Sequence, residues 1–293
     1  MVNSQIVSFF MSTILKSIPM KDNILLPRVL ITNDDGIHAT GIATLADVLE
    51  PLTKELWIVA PEKDQSGASQ KLSINQPLHV QKLGPRRFCV DGTPSDCVAM
   101  AVHHLMGRKK PTLVISGVNA MSNVGDEVPL SGTIGAALTA LMQDIPAIAV
   151  SQEAACHDTV PWETTRTILP LVLTRLLREG WKKGTCPSIN IPNLPPEKIL
   201  GYSWARQGRK NISVIDINKR INPRGQEYYW LEVKSPRTCE PQSNNEETVL
   251  KRGEVSIVAI SLDHSIEINE PSVSFKDPPT EEELLTFDEK IDV

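Results

Sequence analysis

Aromatic side chains make up only 4% of the sequence. That leaves little material for a base-stacking platform of the kind that binds single-stranded nucleic acid. A basic excess is missing too. The 30 Lys and Arg stand against 35 Asp and Glu, a formal net charge of −5, which argues against binding to a nucleic-acid polymer. The five cysteines, Cys89, Cys97, Cys156, Cys186 and Cys239, are odd in number, scattered and without a CxxC pair. This speaks against a disulfide framework or a zinc site and fits reduced thiols in a cytoplasmic protein. The mildly apolar stretch from Ile6 to Leu15 is too short to span a membrane. It lacks the basic flank and the cleavage site of a signal peptide. Residues 1–27 therefore read as a dispensable N-terminal extension, with Met11 or Met20 as the expected start of translation. No internal repeat is present.

What is present is a globular composition, 41% hydrophobic and 22% charged, in a chain long enough for one large domain or two modest ones. The chain is organised around Arg28–Gly36, RVLITNDDG. Val29, Leu30 and Ile31 form a continuous apolar run, as expected of a strand buried on both faces of a parallel sheet. The run ends at Asn33-Asp34-Asp35-Gly36. Ligands bind at the carboxyl ends of strands in open α/β sheets, and paired carboxylates there suit a hard divalent cation. Taken alone, the same residues also read as a solvated turn capping the next helix.

The βα rhythm continues downstream. Ile42, Leu45, Val48 and Leu49 line one helical face, Trp57–Ala60 is a second strand, and the loop Pro61–Gly67 follows it. Residues 72–90 read as irregular or hairpin-like. Thr93-Pro94-Ser95-Asp96 reads as a helix start, with Thr93 as N-cap, Pro94 at the first position and Asp96 at the third. Strands are expected at Thr112–Ile115, Pro146–Val150 and Ser188–Ile191, with helices over Ile134–Met142 and Trp162–Arg178. From about Gly201 the character changes to short β-like runs, at 213–217, 228–233 and 254–261. The polar stretch 236–247 reads as a mobile loop, and an acidic tail begins near Asp277.

Three strand ends thus carry oxygen ligands: Asp34 and Asp35, then Ser66, then Asn119. Two carboxylates, a hydroxyl and an amide oxygen suit Mg²⁺ or Mn²⁺. Adjacent residues on a strand point to opposite faces, so the two aspartates can share an ion only if the chain turns, which Gly36 permits. Ser131-Gly132-Thr133 opens a helix and reads either as an ordinary cap or as an anion site made of backbone N–H groups, hydroxyls and the helix dipole. His103 and His104 read as structural. His38 is a candidate leaving-group acid.

These motifs, in this order, resemble the SurE family of survival-protein nucleotidases. The matching stretches are LITNDDGIHATGI (30–42), VAPEKDQSGAS (59–69), DGTPSDC (91–97), LVISGVNAMSNVGDEVPLSGTIGAA (113–137) and IPAIAVS (145–151), continued by INIPNLPPEKILG (189–201), ARQGR (205–209) and NPRGQEYYW (222–230). The resemblance implies a Rossmann-like, three-layer α/β core over residues 28–200 with a mostly parallel sheet, and a C-terminal β-rich oligomerisation arm and acidic tail over 201–293. It implies a phosphoric monoester hydrolase, a 5′-nucleotidase, that acts on nucleoside 5′-monophosphates and in some members on 3′-monophosphates or polyphosphate. One Mg²⁺ or Mn²⁺ per subunit would be held by Asp34, Asp35, Ser66 and Asn119. Asp34 and Asp35 would be catalytic, and Ser131, Gly132 and Thr133 would bind phosphate. A homodimer or homotetramer is implied. The C-terminal third departs from the family pattern: Asn245-Glu246-Glu247 stands near the usual Gly-Thr-Asp, and Gly253–Ile260 differs from the usual Gly-Tyr-Val-Ser run. The rival readings are a broad acid phosphatase or exopolyphosphatase on the same scaffold, and a non-catalytic nucleotide sensor.

Overall fold

The structure is a computed structural model, and it describes residues 26–156, 159–209, 214–234 and 244–265. The candidate starts Met11 and Met20, the acidic tail beyond Asp277 and most of the polar stretch 236–247 lie outside the described residues. All secondary structure described belongs to the first of two compact units, Met1–Leu262 and Asp263–Val293. In the second unit, of which residues 263–265 are described, Asp263 accepts bonds from the Ser265 amide and hydroxyl at 3.0 and 2.5 Å.

The first strand is β1 (Val29–Thr32), buried along its whole length. Alternation along a strand divides its side chains between two cores. Val29 and Ile31 join Ile42, Leu45 and Leu49 of helix α1 (Thr40–Leu49) and Leu169, Leu173 and Leu176 of helix α4 (Trp162–Glu179). Leu30 joins Cys97 and Val98 of helix α2 (Pro94–Met100) and Ile134 and Ala137 of helix α3 (Gly132–Leu141) on the other face. A run that is apolar without a break is what two covered faces require. The result is three layers, helices on both sides of one sheet.

The remaining strands are β2 (Leu56–Pro61), β3 (Val80–Gly84), β4 (Arg87–Val90), β5 (Leu113–Ala120), β6 (Ala147–Gln152), β7 (Thr185–Ile191), β8 (Gly201–Trp204), β9 (Val214–Ile221), β10 (Glu227–Lys234) and β11 (Glu254–Ser261). Nine of the strands form one sheet in the order β3-β4-β2-β1-β5-β6-β7-β11-β8. From β4 to β7 all neighbours are parallel. β3 pairs antiparallel with β4 at one edge, β11 pairs antiparallel with β7, and β8 forms the other edge, parallel to β11. After β1 the chain moves to β2 and β4 on one side, then crosses back to β5 on the other. The carboxyl ends of β1 and β5 therefore flank the point where the winding reverses, which is where an open α/β sheet leaves a crevice.

The chain passes Gly201, where the sequence changes character, without leaving this sheet, because β8 and β11 both belong to it. Only β9 and β10 separate, as a two-stranded antiparallel ribbon. The loop reading of 236–247 needs correction at its end. Glu246 begins helix α5 (Glu246–Lys251), capped by the Asn245 side chain, which accepts the Thr248 amide at 2.9 Å.

Candidate active site

Asn33 makes the turn after β1. Its Nδ2 donates to the Gly36 carbonyl at 2.9 Å, and Gly36 sits at φ +100°, a region open to glycine. The loop after β2 is tied to this turn through Ile37 N to Pro61 O and Gln65 N to Asp34 O, both 2.8 Å. Asp34 is then buried against the start of α3. The Thr133 hydroxyl donates to Asp34 Oδ1 at 2.5 Å. A Cβ on Gly132 would lie 2.8 Å from the Asp34 Cβ, so only glycine allows this approach. Burial raises the Asp34 pKa, and the Thr133 bond opposes the rise. Burial, followed by the neighbouring Asp34 charge, pushes Asp35 up to about 7, while the Ala120 backbone N–H pulls it down.

That N–H brings in the end of β5. The register between β5 and β6 slips between Ser116 and Asn119, a bulge that re-aims the last residues of the strand. Gly117 belongs to the bulge, and a Cβ there would meet Val150 O at 2.3 Å. Asn119 Nδ2 donates to Met121 O at 2.8 Å, which leaves the amide oxygen as the group available to a cation. Ser66 is exposed on the loop after β2. Its amide and hydroxyl both donate to Asp64 Oδ1, at 2.7 and 2.6 Å. Asp64 in turn raises the pKa of both Asp34 and Asp35 by its charge.

The expected phosphate-side residues sit where α3 begins. Ser131 is its N-cap, and the Ser131 Oγ accepts the Ile134 amide at 3.1 Å. That bond uses the oxygen and leaves the hydroxyl hydrogen for another acceptor. Thr133 is committed to Asp34. Of the first-turn amides, Thr133 N–H also bonds Asp34 and Ile134 N–H bonds Ser131, while the positive end of the helix dipole faces the carboxylate side. His38 is exposed. His103 bonds the Gln143 side chain at 2.8 Å.

The donor set fits a hard cation. Every candidate ligand atom is oxygen. Asp35 Oδ2 and Asn33 Oδ1 are buried without a protein hydrogen-bond partner, a costly state that a cation would relieve. Among the described residues no three His, Cys, Asp or Glu side chains form a metal-binding group, so amide and hydroxyl oxygens must complete any shell.

The family profile described as Survival protein SurE matches residues 29–214. The chain belongs to the SurE family. The protein named 5′-nucleotidase SurE 1 of Burkholderia lata is 41% identical over 242 residues, covering 82% of this chain and 93% of that one. The 5′-nucleotidase SurE of Caulobacter vibrioides is 39% identical over 239 residues, covering 80% and 90%. Among solved structures, the SurE protein from Aquifex aeolicus superposes with a TM-score of 0.69 at 31% identity, over 81% of this chain and 94% of that one.

Within this SurE framework, sequence reasoning gave no site role to three polar residues. Asn33 closes the acidic turn, and an Asn two residues before the second Asp was a local signal for it. Asp64 holds Ser66, and its spacing of two residues ahead of a serine is an Asx-turn signal that was readable. Glu246 is buried far along the chain and bonds Gly125 and Gly208. No local pattern announces it.

Proposed function

We propose that this SurE-family chain is a divalent-metal-dependent nucleotidase that releases phosphate from nucleoside 5′-monophosphates, with 3′-monophosphates as a further substrate class. The observation that carries the reading is the contact of Asp34 with Gly132 and Thr133. It supports an oxygen-rich cation site set against a helix start that favours anions, the pairing phosphoryl transfer needs. Two relatives with about two fifths of their residues in common bear the name 5′-nucleotidase.

Asp34, Asp35 and Asn119 would hold Mg²⁺ or Mn²⁺, with Ser66 reaching it once its hydroxyl turns from Asp64. A cation bound there supplies Lewis acidity toward the phosphate and the attacking water. Asp35 is the residue suited to orient the attacking water or take its proton, because its Oδ2 has no protein hydrogen-bond partner. Asp34, engaged by Thr133, orients rather than accepts. The Ser131 hydroxyl donates to the phosphoryl oxygens and the positive end of α3 faces them, with stronger contacts as charge spreads in the transition state.

The ribbon of β9 and β10 supports a homo-oligomer. Trp230 is 63% exposed and Leu231 71% exposed, on opposite faces of a two-stranded sheet, an arrangement that calls for a partner surface. A second copy of this chain is the proposed occupant. A reducing, cytoplasmic setting suits the thiols, since Cys89, Cys97, Cys156 and Cys186 are unpaired. Among the described residues no helix is long and apolar enough to cross a membrane.

The deciding experiment is a phosphate-release screen over nucleoside monophosphates, p-nitrophenyl phosphate and tripolyphosphate, with Mg²⁺, Mn²⁺ or EDTA. Preference for a nucleoside monophosphate with abolition by EDTA supports the reading. Equal rates on all substrates would point to a broad phosphatase. Nucleotide binding with no phosphate release would point to a sensor.

A further inference from the structure

The most deeply buried carboxylate outside the acidic turn is Glu246, 1% exposed, in the first turn of α5. Its side-chain hydrogen bonds go to the chain around the site rather than to the proposed cation ligands. Its Oε1 accepts the Gly125 amide at 2.6 Å and its Oε2 accepts the Gly208 amide at 3.1 Å. Charged hydrogen bonds of this kind are the stronger class. The Gly125 carbonyl is held as well, by Gln207 Nε2 at 2.9 Å. Gly125 is therefore gripped at both backbone groups by residues on either side of the β9–β10 ribbon. Those two sides are laced to each other, with Arg206 N on Asn244 O at 3.0 Å and Glu246 N on Arg206 O at 3.2 Å.

Gly125 opens the 3₁₀ segment Gly125–Leu130, which runs straight into Ser131. The Ser131 amide bonds Glu127 O and Val128 O at 3.1 and 3.3 Å, so the segment hands its position to the helix cap. The residues just before it are fixed by the Asn123–Asn190 and Asn123–Ser151 bonds. Its far end is fixed by Ser69, which donates to Pro129 O and Leu130 O. Of these ties only the Glu246 clamp comes from beyond the ribbon.

We infer that Glu246 is a positioning residue for the phosphate side of the site, tying the root of the β9–β10 ribbon to the segment that delivers Ser131, Gly132 and Thr133. The inference rests on the nucleotidase reading for its kinetic consequence. Asp34, Asp35 and Asn119 are carried by β1 and β5 and meet the clamped segment only through Gly132 and Thr133, which lie within α3, so loss of the clamp falls chiefly on Ser131. Loss of the clamp loosens phosphate binding and leaves cation binding in place.

The test compares wild type with Glu246→Gln, Glu246→Asp and Gln207→Ala in the full chain. Glutamine puts an N–H against one of the two amides, and aspartate is too short to reach both. For Glu246→Gln, KM for a nucleoside monophosphate should rise about tenfold, with Mn²⁺ affinity by electron paramagnetic resonance within about twofold of wild type. Hydrogen exchange should quicken in the peptide covering residues 121–131 and not in β1 or β5. Glu246→Asp should fall between the two. Unchanged KM and unchanged exchange in folded Glu246→Gln would overturn the inference. So would a joint loss of KM, Mn²⁺ affinity and protection in β1 and β5, which marks a residue holding the whole fold. If Glu246→Gln does not fold, Gln207→Ala decides, with about a threefold rise in KM and the same local exchange expected, and no change in either refuting the clamp. A wild-type protein that releases no phosphate would sink the nucleotidase reading alone, since the exchange measurement still reads the clamp.

Discussion

The Thr133 hydroxyl donates to Asp34 Oδ1 at 2.5 Å and so joins the start of α3 to the acidic turn after β1. The bond favours the charged carboxylate, against burial, which favours the neutral one. Thr133→Val keeps the shape and removes the donor, so the Asp34 pKa should rise further. Mn²⁺ affinity at pH 7 should fall about tenfold, and the deficit should shrink at pH 8.5, because proton and cation compete for the carboxylate. Calorimetric titration at the two pH values checks this. An equal loss at both would mean that the bond does not tune Asp34.

Gly132 has no room for a side chain. Alanine would put its Cβ 2.8 Å from the Asp34 Cβ and 2.9 Å from Oδ2. Overpacking of this kind costs about 1–3 kcal/mol and must push the carboxylate away from the helix. Gly132→Ala should retain the fold by circular dichroism and lose about 10²-fold or more in kcat/KM. Near-wild-type turnover would show that the two halves of the site need not touch.

Asp35 and Asn119 should respond differently to added metal. Asn119→Ala removes a neutral ligand, so excess Mn²⁺ should restore part of the activity. Asp35→Asn removes the proposed base, and a loss of roughly 10²- to 10³-fold should persist at saturating metal. Phosphate release measured across a Mn²⁺ series separates the two. Full rescue of Asp35→Asn would reduce that residue to a ligand.

Stability should depend on pH in a direction set by buried carboxyls. Burial pushes Asp35 and Glu246 both up to about 7 in the metal-free fold, from ordinary values of 3.8 and 4.5. Between the unfolded and folded values the native state holds protons that the unfolded chain has released. Stability therefore falls as pH rises through this window, from about 4 to about 7. Glu55 and Asp91 have lowered values, and their contribution is lost only as pH falls below their ordinary range. The metal-free protein should melt higher at pH 5.5 than at pH 8. Added Mn²⁺ should raise Tm more at pH 8, where it no longer competes with a proton. A metal-free Tm that climbs from pH 5.5 to 8 would contradict the burial of these groups.

The β9–β10 ribbon should carry the assembly. Replacing Trp230 and Leu231 together by serine should lower the mass seen by light scattering at micromolar concentration without lowering the Tm of the nine-stranded core. An unchanged oligomer would place the contact elsewhere on the chain.

Much of the site was legible residue by residue. The buried run Val29–Ile31, the turn at Asn33–Gly36 and the Thr93–Asp96 capping box are local, and each appears as read. Backbone preference and alternating burial act over a few residues, so a sequence carries them openly. The choice of partner for a buried polar group does not act that way. Thr133 and Asp34 meet across 99 residues, and Glu246 and Gly125 across 121. In the same way β11 enters the sheet between β7 and β8. Each follows from the crossover at β1 and β5 and from the return of the chain after the ribbon. Local patterning thus carried the helices and strands of the core, and the resemblance of whole motifs carried the family. The sheet order decided which carboxylate lies against which amide, because a buried charge is satisfied only by the groups that folding brings within reach.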